Sequence, residues 1–154
     1  MPNSEIARIE WAPKKQAVLL FIAVLAIIVG AFAAGPSNVR TLKIGPQRFD
    51  LEVAVTKEEQ RRGLSGRRSL GRNQGMLFIL RQGERPCFWM KGMQFPLDII
   101  WTDKQHRVVH MESHLLPKTY PRTFCSPSNA AYVIELPAGS IELADIREDQ
   151  LLQF

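Results

Sequence analysis

Residues 48–55 read Arg-Phe-Asp-Leu-Glu-Val-Ala-Val, with Phe49, Leu51, Val53 and Val55 alternating against Asp50, Glu52 and Ala54. A period of two sends successive side chains to opposite faces, so this is the pattern of a half-buried β-strand. Just before it, Leu42–Ile44 is a second short apolar run, and Gly45-Pro46 between the two reads as a hairpin or tight connection. Just after it, Thr56-Lys57-Glu58-Glu59 has the spacing of a capping box. The Thr56 hydroxyl accepts from the Glu59 backbone N–H, and the Glu59 carboxylate reaches back. The spacing predicts a short helix to about Arg62, stopped by Gly63 in a left-handed conformation.

Further along, Met76–Leu80 is a continuous apolar run between Gly75 and Gln82-Gly83, the pattern of a strand buried on both faces. Strands are also expected over Cys87–Met90, Leu97–Thr102, Arg107–Ser113, Tyr132–Leu136 and Leu151–Phe154, with Asp103–His106 as a turn. The segment Leu115–Asn129 carries Pro117, Pro121 and Pro127 and reads as a long loop, and Ser140 as the cap of one helical turn to Ala144. Six or seven short strands with one or two helical turns imply a mainly β (α+β) fold: a compact single-domain β-barrel or sandwich over residues 42–154.

Upstream, residues 17–34 read AVLLFIAVLAIIVGAFAA, with no charge and no strongly polar side chain. At about 1.5 Å per residue this stretch reaches roughly 27 Å, the lower limit for crossing a bilayer core. Lys14 and Lys15 precede it, which holds residues 1–16 in the cytoplasm as a lead and exports the chain after Gly35. The sequence therefore predicts an N-terminal transmembrane signal-anchor helix, a polar linker over 35–41, and an extracytoplasmic domain. Ala31-Phe32-Ala33 also fits a small-x-small cleavage site, so release of a secreted or periplasmic domain near Ala33 is the alternative.

The 154 residues carry a formal net charge of +5, but unevenly. Lys57, Arg61, Arg62, Arg67, Arg68, Arg72, Arg81, Arg85 and Lys91 concentrate in one region, opposed only by Glu58, Glu59 and Glu84, whereas Glu135, Glu142, Asp145, Glu148 and Asp149 against Arg147 make the C-terminal end acidic. A basic region outside the cell would meet anionic lipid or an anionic envelope polymer; export argues against nucleic acid. A solvated arginine-rich face with no ligand is the plainer reading of the same residues.

Several ordered motifs carry a resemblance. Gly63-Leu64 with Arg67, Gly75-Met76-Leu77-Phe78, Phe88-Trp89-Met90-Lys91, Pro96-Leu97-Asp98 and Tyr132-Val133-Ile134-Glu135-Leu136 followed by Ala138-Gly139 resemble the domain of unknown function 192 family. The resemblance covers roughly residues 41–154 and implies a compact β-rich domain with no established reaction. Gly92-Met93 departs from the Asn-Thr usual after the Trp-Met-Lys stretch, so any binding by that pair in relatives does not carry over.

Few residues suggest chemistry. Asp98 lies among Leu97, Ile99 and Ile100, where a carboxylate serves either as a general acid or base, or as a partner for Lys91 or for backbone N–H groups at a turn. Trp89 and Trp101 offer ring platforms, although core packing is the commoner fate of an aromatic in an apolar strand. His110, Glu112 and His114 share a face if the segment is a regular strand and then supply three metal ligands, or are merely solvent-exposed. Cys87, Met90 and Met93 are soft ligands suited to Cu(I), but strand alternation would point Met90 away from Cys87. In an exported domain the two cysteines, Cys87 and Cys125, are expected to form a disulfide, the rival being two buried thiols. The sum is a binding or accessory module of the cell envelope, with Arg61, Arg67, Trp89, Lys91 and Asp98 as candidate recognition residues and no cofactor expected. A small enzyme, metal-assisted or not, and a purely structural component are the alternatives.

Overall fold

The computed structural model describes residues 38–80 and 85–154. The expected cytoplasmic lead, the apolar span over 17–34 and residues 35–37 of the linker lie outside the described residues. Among the described residues no helix is long and apolar enough to cross a membrane.

The chain begins with the hairpin expected from its alternating residues. β1 (Val39–Ile44) pairs antiparallel with β2 (Gln47–Ala54), and Phe49 and Leu51 are buried while Asp50 and Glu52 face outward. Val39–Thr41 belong to β1, so the domain starts earlier than the polar composition of 35–41 suggests. Thr56 caps α1 (Lys57–Arg62): its hydroxyl accepts from the Glu59 N–H at 3.1 Å, and the Glu59 carboxylate accepts the Thr56 N–H at 2.8 Å. Gly63 ends the helix at φ +50, which costs glycine little.

β3 (Gln74–Ile79) then runs parallel to β2, an arrangement that requires a crossover. Residues 55–73, with α1 in their middle, are that crossover. β4 (Cys87–Trp89) leaves the sheet and pairs with β7 (Thr123–Cys125) as a separate two-stranded ribbon. β5 (Leu97–Thr102), β6 (Val108–Leu115) and β8 (Tyr132–Pro137) complete a six-stranded mixed sheet in the order β1-β2-β3-β8-β5-β6. All six residues of β5 are buried.

The sheet carries apolar residues on both faces. Phe49, Leu51, Leu77, Ile100 and Ile134 lie on one face beneath Ile141, Ile146 and Leu152 of the C-terminal segment. Phe78, Ile99, Trp101 and Val133 lie on the other, packed with Leu64, Met90 and Phe124 from the crossover and the ribbon. Residues 38–154 thereby make one unit.

Four expectations need correction. The sheet does not close into a barrel: the C-terminal residues form only isolated bridges, Lys43 to Gln153 and Arg107 to Leu151, too short to be the strand expected there. The proline-rich segment is not loop throughout, because β7 forms where β4 offers it unpaired backbone, after a 3-10 turn at Pro117–Thr119. Ser140 does not cap α2 (Ser140–Leu143); Gly139 takes the capping position, and the Ser140 hydroxyl donates to the Pro137 carbonyl at 2.6 Å. β6 runs on through Leu115, but its pairing with β5 shifts register between Leu97 and Ile99.

Candidate functional site

Past Gly63 the chain buries Leu64 and turns, and the Gly66 N–H donates to the Gly92 carbonyl at 2.9 Å. That bond ties the exit of α1 to the segment after β4. Gly92 sits at φ +70, and a Cβ there would collide with the Ser65 hydroxyl, so glycine at this departure from the family pattern has a local steric reason. Between these two segments and the sheet lies a cavity of about 880 Å3. Lys57, Arg61 and Arg62 of α1 line one side, Phe88, Trp89 and Lys91 the other, and Phe78 and Glu135 of the sheet also contribute. The basic segment and the aromatic segment, distant in sequence, thus line one cavity.

Glu135 is the residue the sequence reading passed over. It lies in β8 opposite Met76 of β3 and Ile99 of β5, shares the side of Val133, and is 6 % exposed. Its Oε2 is buried with no hydrogen-bond partner. Burial pushes its carboxyl up from the ordinary 4.5 to about 8, against the opposing pull of Arg67. At neutral pH burial therefore favours the protonated carboxyl, a neutral acid with an O–H to donate. Its sequence signal was a carboxylate between Ile134 and Leu136 in a predicted strand, the same signal that singled out Asp98.

Arg67 does not neutralise Glu135 because it is engaged elsewhere. Its two terminal nitrogens donate to the two Glu52 oxygens, each at 2.6 Å. Those bonds hold the Glu52 carboxyl below its ordinary range and raise the Arg67 guanidinium above its own. Arg61 makes one exposed bond to Glu58 at 2.6 Å and still borders the cavity. Lys91 stands 5.7 Å from the centre of the Trp89 ring, a cation–π contact. Trp89 is 53 % exposed and meets Tyr120 edge-on, whereas Trp101 is fully buried and is core rather than platform.

Asp98 is not part of the cavity. It projects from β5 on the side of Ile100, and both its oxygens accept backbone N–H bonds, from His114 at 2.8 Å and Ile141 at 2.9 Å. It pins the end of β6 to the start of α2, the structural role rather than the catalytic one. The set His110, Glu112 and His114 is not assembled either. His110 Nε2 lies 3.5 Å from Glu112, but His114 adopts φ +54, breaks the alternation, and approaches Glu142 at 3.5 Å instead. Asp98, His114 and Glu142 do bring one ligand atom each within 4.8 Å of one another, yet the Asp98 oxygens are already committed to N–H donors. Cys87 and Cys125 face each other across the ribbon and are joined, S–S 2.06 Å, which removes Cys87 as a copper ligand.

Comparison with known proteins agrees with this architecture. No curated protein matches the chain. A Sinorhizobium meliloti protein, provisionally described as a transcription regulator, superposes with a TM-score of 0.67 at 24 % identity, over 73 % of this chain and 89 % of that one. A Novosphingobium aromaticivorans protein of unknown function superposes with a TM-score of 0.69 at 24 % identity, over 79 % of this chain and 91 % of that one. At that identity the likeness is one of fold alone. The family model described as "Uncharacterized ACR", DUF192, matches residues 40–154, so the chain belongs to the domain of unknown function 192 family.

Proposed function

We propose that the chain is a membrane-tethered, extracytoplasmic binding module of the cell envelope, whose cavity takes an anionic group carried on an apolar or ring-like body. The observation that carries this reading is the convergence of Lys57, Arg61, Arg62 and Lys91 on one cavity with Phe78, Phe88 and Trp89 among its lining. Cations bordering a partly apolar pocket attract an anion and shelter its apolar part from water. Glu135 adds little negative charge at neutral pH, because burial favours its protonated form. Lys14 and Lys15 ahead of the apolar run support export, as does the Cys87–Cys125 bridge, since disulfides persist in oxidising compartments. The ligand class in that setting is a phosphodiester, presented by a lipid head group or an envelope polymer.

The test is co-sedimentation of the full-length protein with phosphatidylglycerol vesicles, with phosphatidylcholine vesicles as the neutral control. Excess binding to the anionic vesicles at low salt, weakened about tenfold or more in the K57A/R61A/K91A protein, is expected. Equal binding to both vesicle types, together with no binding of a soluble phosphodiester, would refute the reading. A reporter fused after Phe154 should be active only in its extracytoplasmic form.

A further inference from the structure

Glu135 is buried to 6 % exposure, its Oε2 has no partner, and it lines the cavity that the basic residues border. A buried polar atom left without a partner is uncommon and costly, and where it borders a cavity a functional role is one of its physical explanations. We infer that Glu135 binds the ligand as a neutral acid, its O–H donating to an oxygen of the anionic group while the bordering cations balance the charge. This rests on the anion-binding reading above and extends it with a named donor and a direction of pH control.

The neighbours favour this role over a charged one. The one charged group that acts on Glu135 is Arg67, on the loop after α1 and already held by both oxygens of Glu52 in β2; Lys57, Arg61 and Arg62 of α1 and Lys91 after β4 line the same cavity. Its strand neighbours Met76 and Phe78 of β3 and Ile99 and Trp101 of β5 carry no charge. No carboxylate other than Glu135 lines the cavity among the described residues. An O–H···O bond to an anionic oxygen is charge-assisted and short, which gives one fixed contact in a cavity otherwise gripped by flexible rim cations. When Glu135 ionises, the donor disappears and a negative charge faces the anion, so binding weakens twice over. Desolvation places that change near pH 8, inside an accessible range.

The experiment measures binding of methyl phenyl phosphate, a diester whose single charge is constant over this range, to the full-length wild-type and E135Q proteins from pH 6 to pH 9.5 at fixed ionic strength. Gln keeps an N–H donor and cannot ionise, and the cation border is the same in both proteins, so its own titration cancels in the comparison. Wild-type affinity should be level near pH 6–7 and fall about tenfold or more by pH 9.5, while E135Q binds within a few-fold of wild type at pH 6 and stays level. An equal fall in both proteins would overturn the donor role while leaving the anion-binding reading intact. Absence of wild-type binding to this probe, together with no excess binding to phosphatidylglycerol over phosphatidylcholine vesicles, would overturn both. Should E135Q not fold, carboxyl 13C NMR of wild-type Glu135 decides: a ligand that selects the protonated form must raise the titration midpoint, and an unchanged or lowered midpoint refutes the inference.

Discussion

Replacing Glu135 with Gln should change how the stability of the protein depends on pH, and the size follows from the burial of one carboxyl. In the unfolded chain Glu135 titrates near the ordinary 4.5, and in the folded protein near about 8. Between those values the folded state holds a proton that the unfolded state has released. Stability contributed by the proton is therefore complete below the unfolded value and is lost as pH rises through the window to about 8. Each pKa unit corresponds to about 1.4 kcal/mol, so the whole window is worth about 5 kcal/mol, of which about 4 kcal/mol falls between pH 5 and pH 9. E135Q lacks this loss, whereas every other titrating group, including the oppositely shifted Glu52, acts in both proteins. The amide's own unpaired polar atoms cost the same at every pH, so the slope of the difference is the readout rather than its offset. Urea unfolding followed by tryptophan fluorescence, at steps from pH 5 to pH 9, measures it. Wild type should lose about 4 kcal/mol relative to E135Q across that range. A difference that stays constant with pH would mean that Glu135 ionises in its ordinary range, and the reasoning from its buried, unpaired geometry would be refuted.

Two further predictions concern what holds the cavity's frame. At Gly75 a Cβ would lie 2.6 Å from the Glu135 backbone oxygen, which cannot move aside without breaking the β3–β8 pairing, so G75A should cost about 1–3 kcal/mol in urea unfolding. Replacing both Cys87 and Cys125 with Ser removes a cross-link spanning 38 residues and should cost about 4 kcal/mol by chain entropy, a large share of a domain's usual 5–15; an unchanged unfolding midpoint would contradict this.

Local signals in the sequence translated well into local structure. The alternation from Phe49 to Val53 became β2, although the strand ends at a buried Ala54 and leaves Val55 exposed; the Thr56–Glu59 capping box formed with both of its bonds, and Leu97–Thr102 is β5 residue for residue. What local signals did not reach was decided by partners far along the chain. Thr123–Cys125 becomes a strand because β4 lies opposite, and no periodicity over three residues reveals that. His114 departs from the face of His110 because its backbone takes φ +54 where the Asp98 carboxylate holds its N–H. The site was half legible. Arg61, Trp89 and Lys91 were singled out by charge and aromatic character, and the fold sets them around one cavity. Arg67 carries the same charge but is spent on Glu52, a pairing between residues fifteen apart that depends on the crossover. Asp98 and Glu135 look alike in sequence, each a carboxylate in an apolar strand, yet they lie on opposite sides of the sheet. One meets two backbone N–H groups, and the other is buried beside the cavity with one oxygen left without a partner, a difference that depends on what packs over each side of the sheet.

The most direct test of the cavity as an anion site is an amide and side-chain NMR titration of the full-length protein with methyl phenyl phosphate at pH 6 and low salt. The account predicts shifts that cluster at Lys57, Arg61, Gly63, Trp89, Lys91 and the Glu135 carboxyl, and that diminish as salt is raised. Shifts confined to the acidic C-terminal face, or none at all with phosphate in large excess, would contradict it.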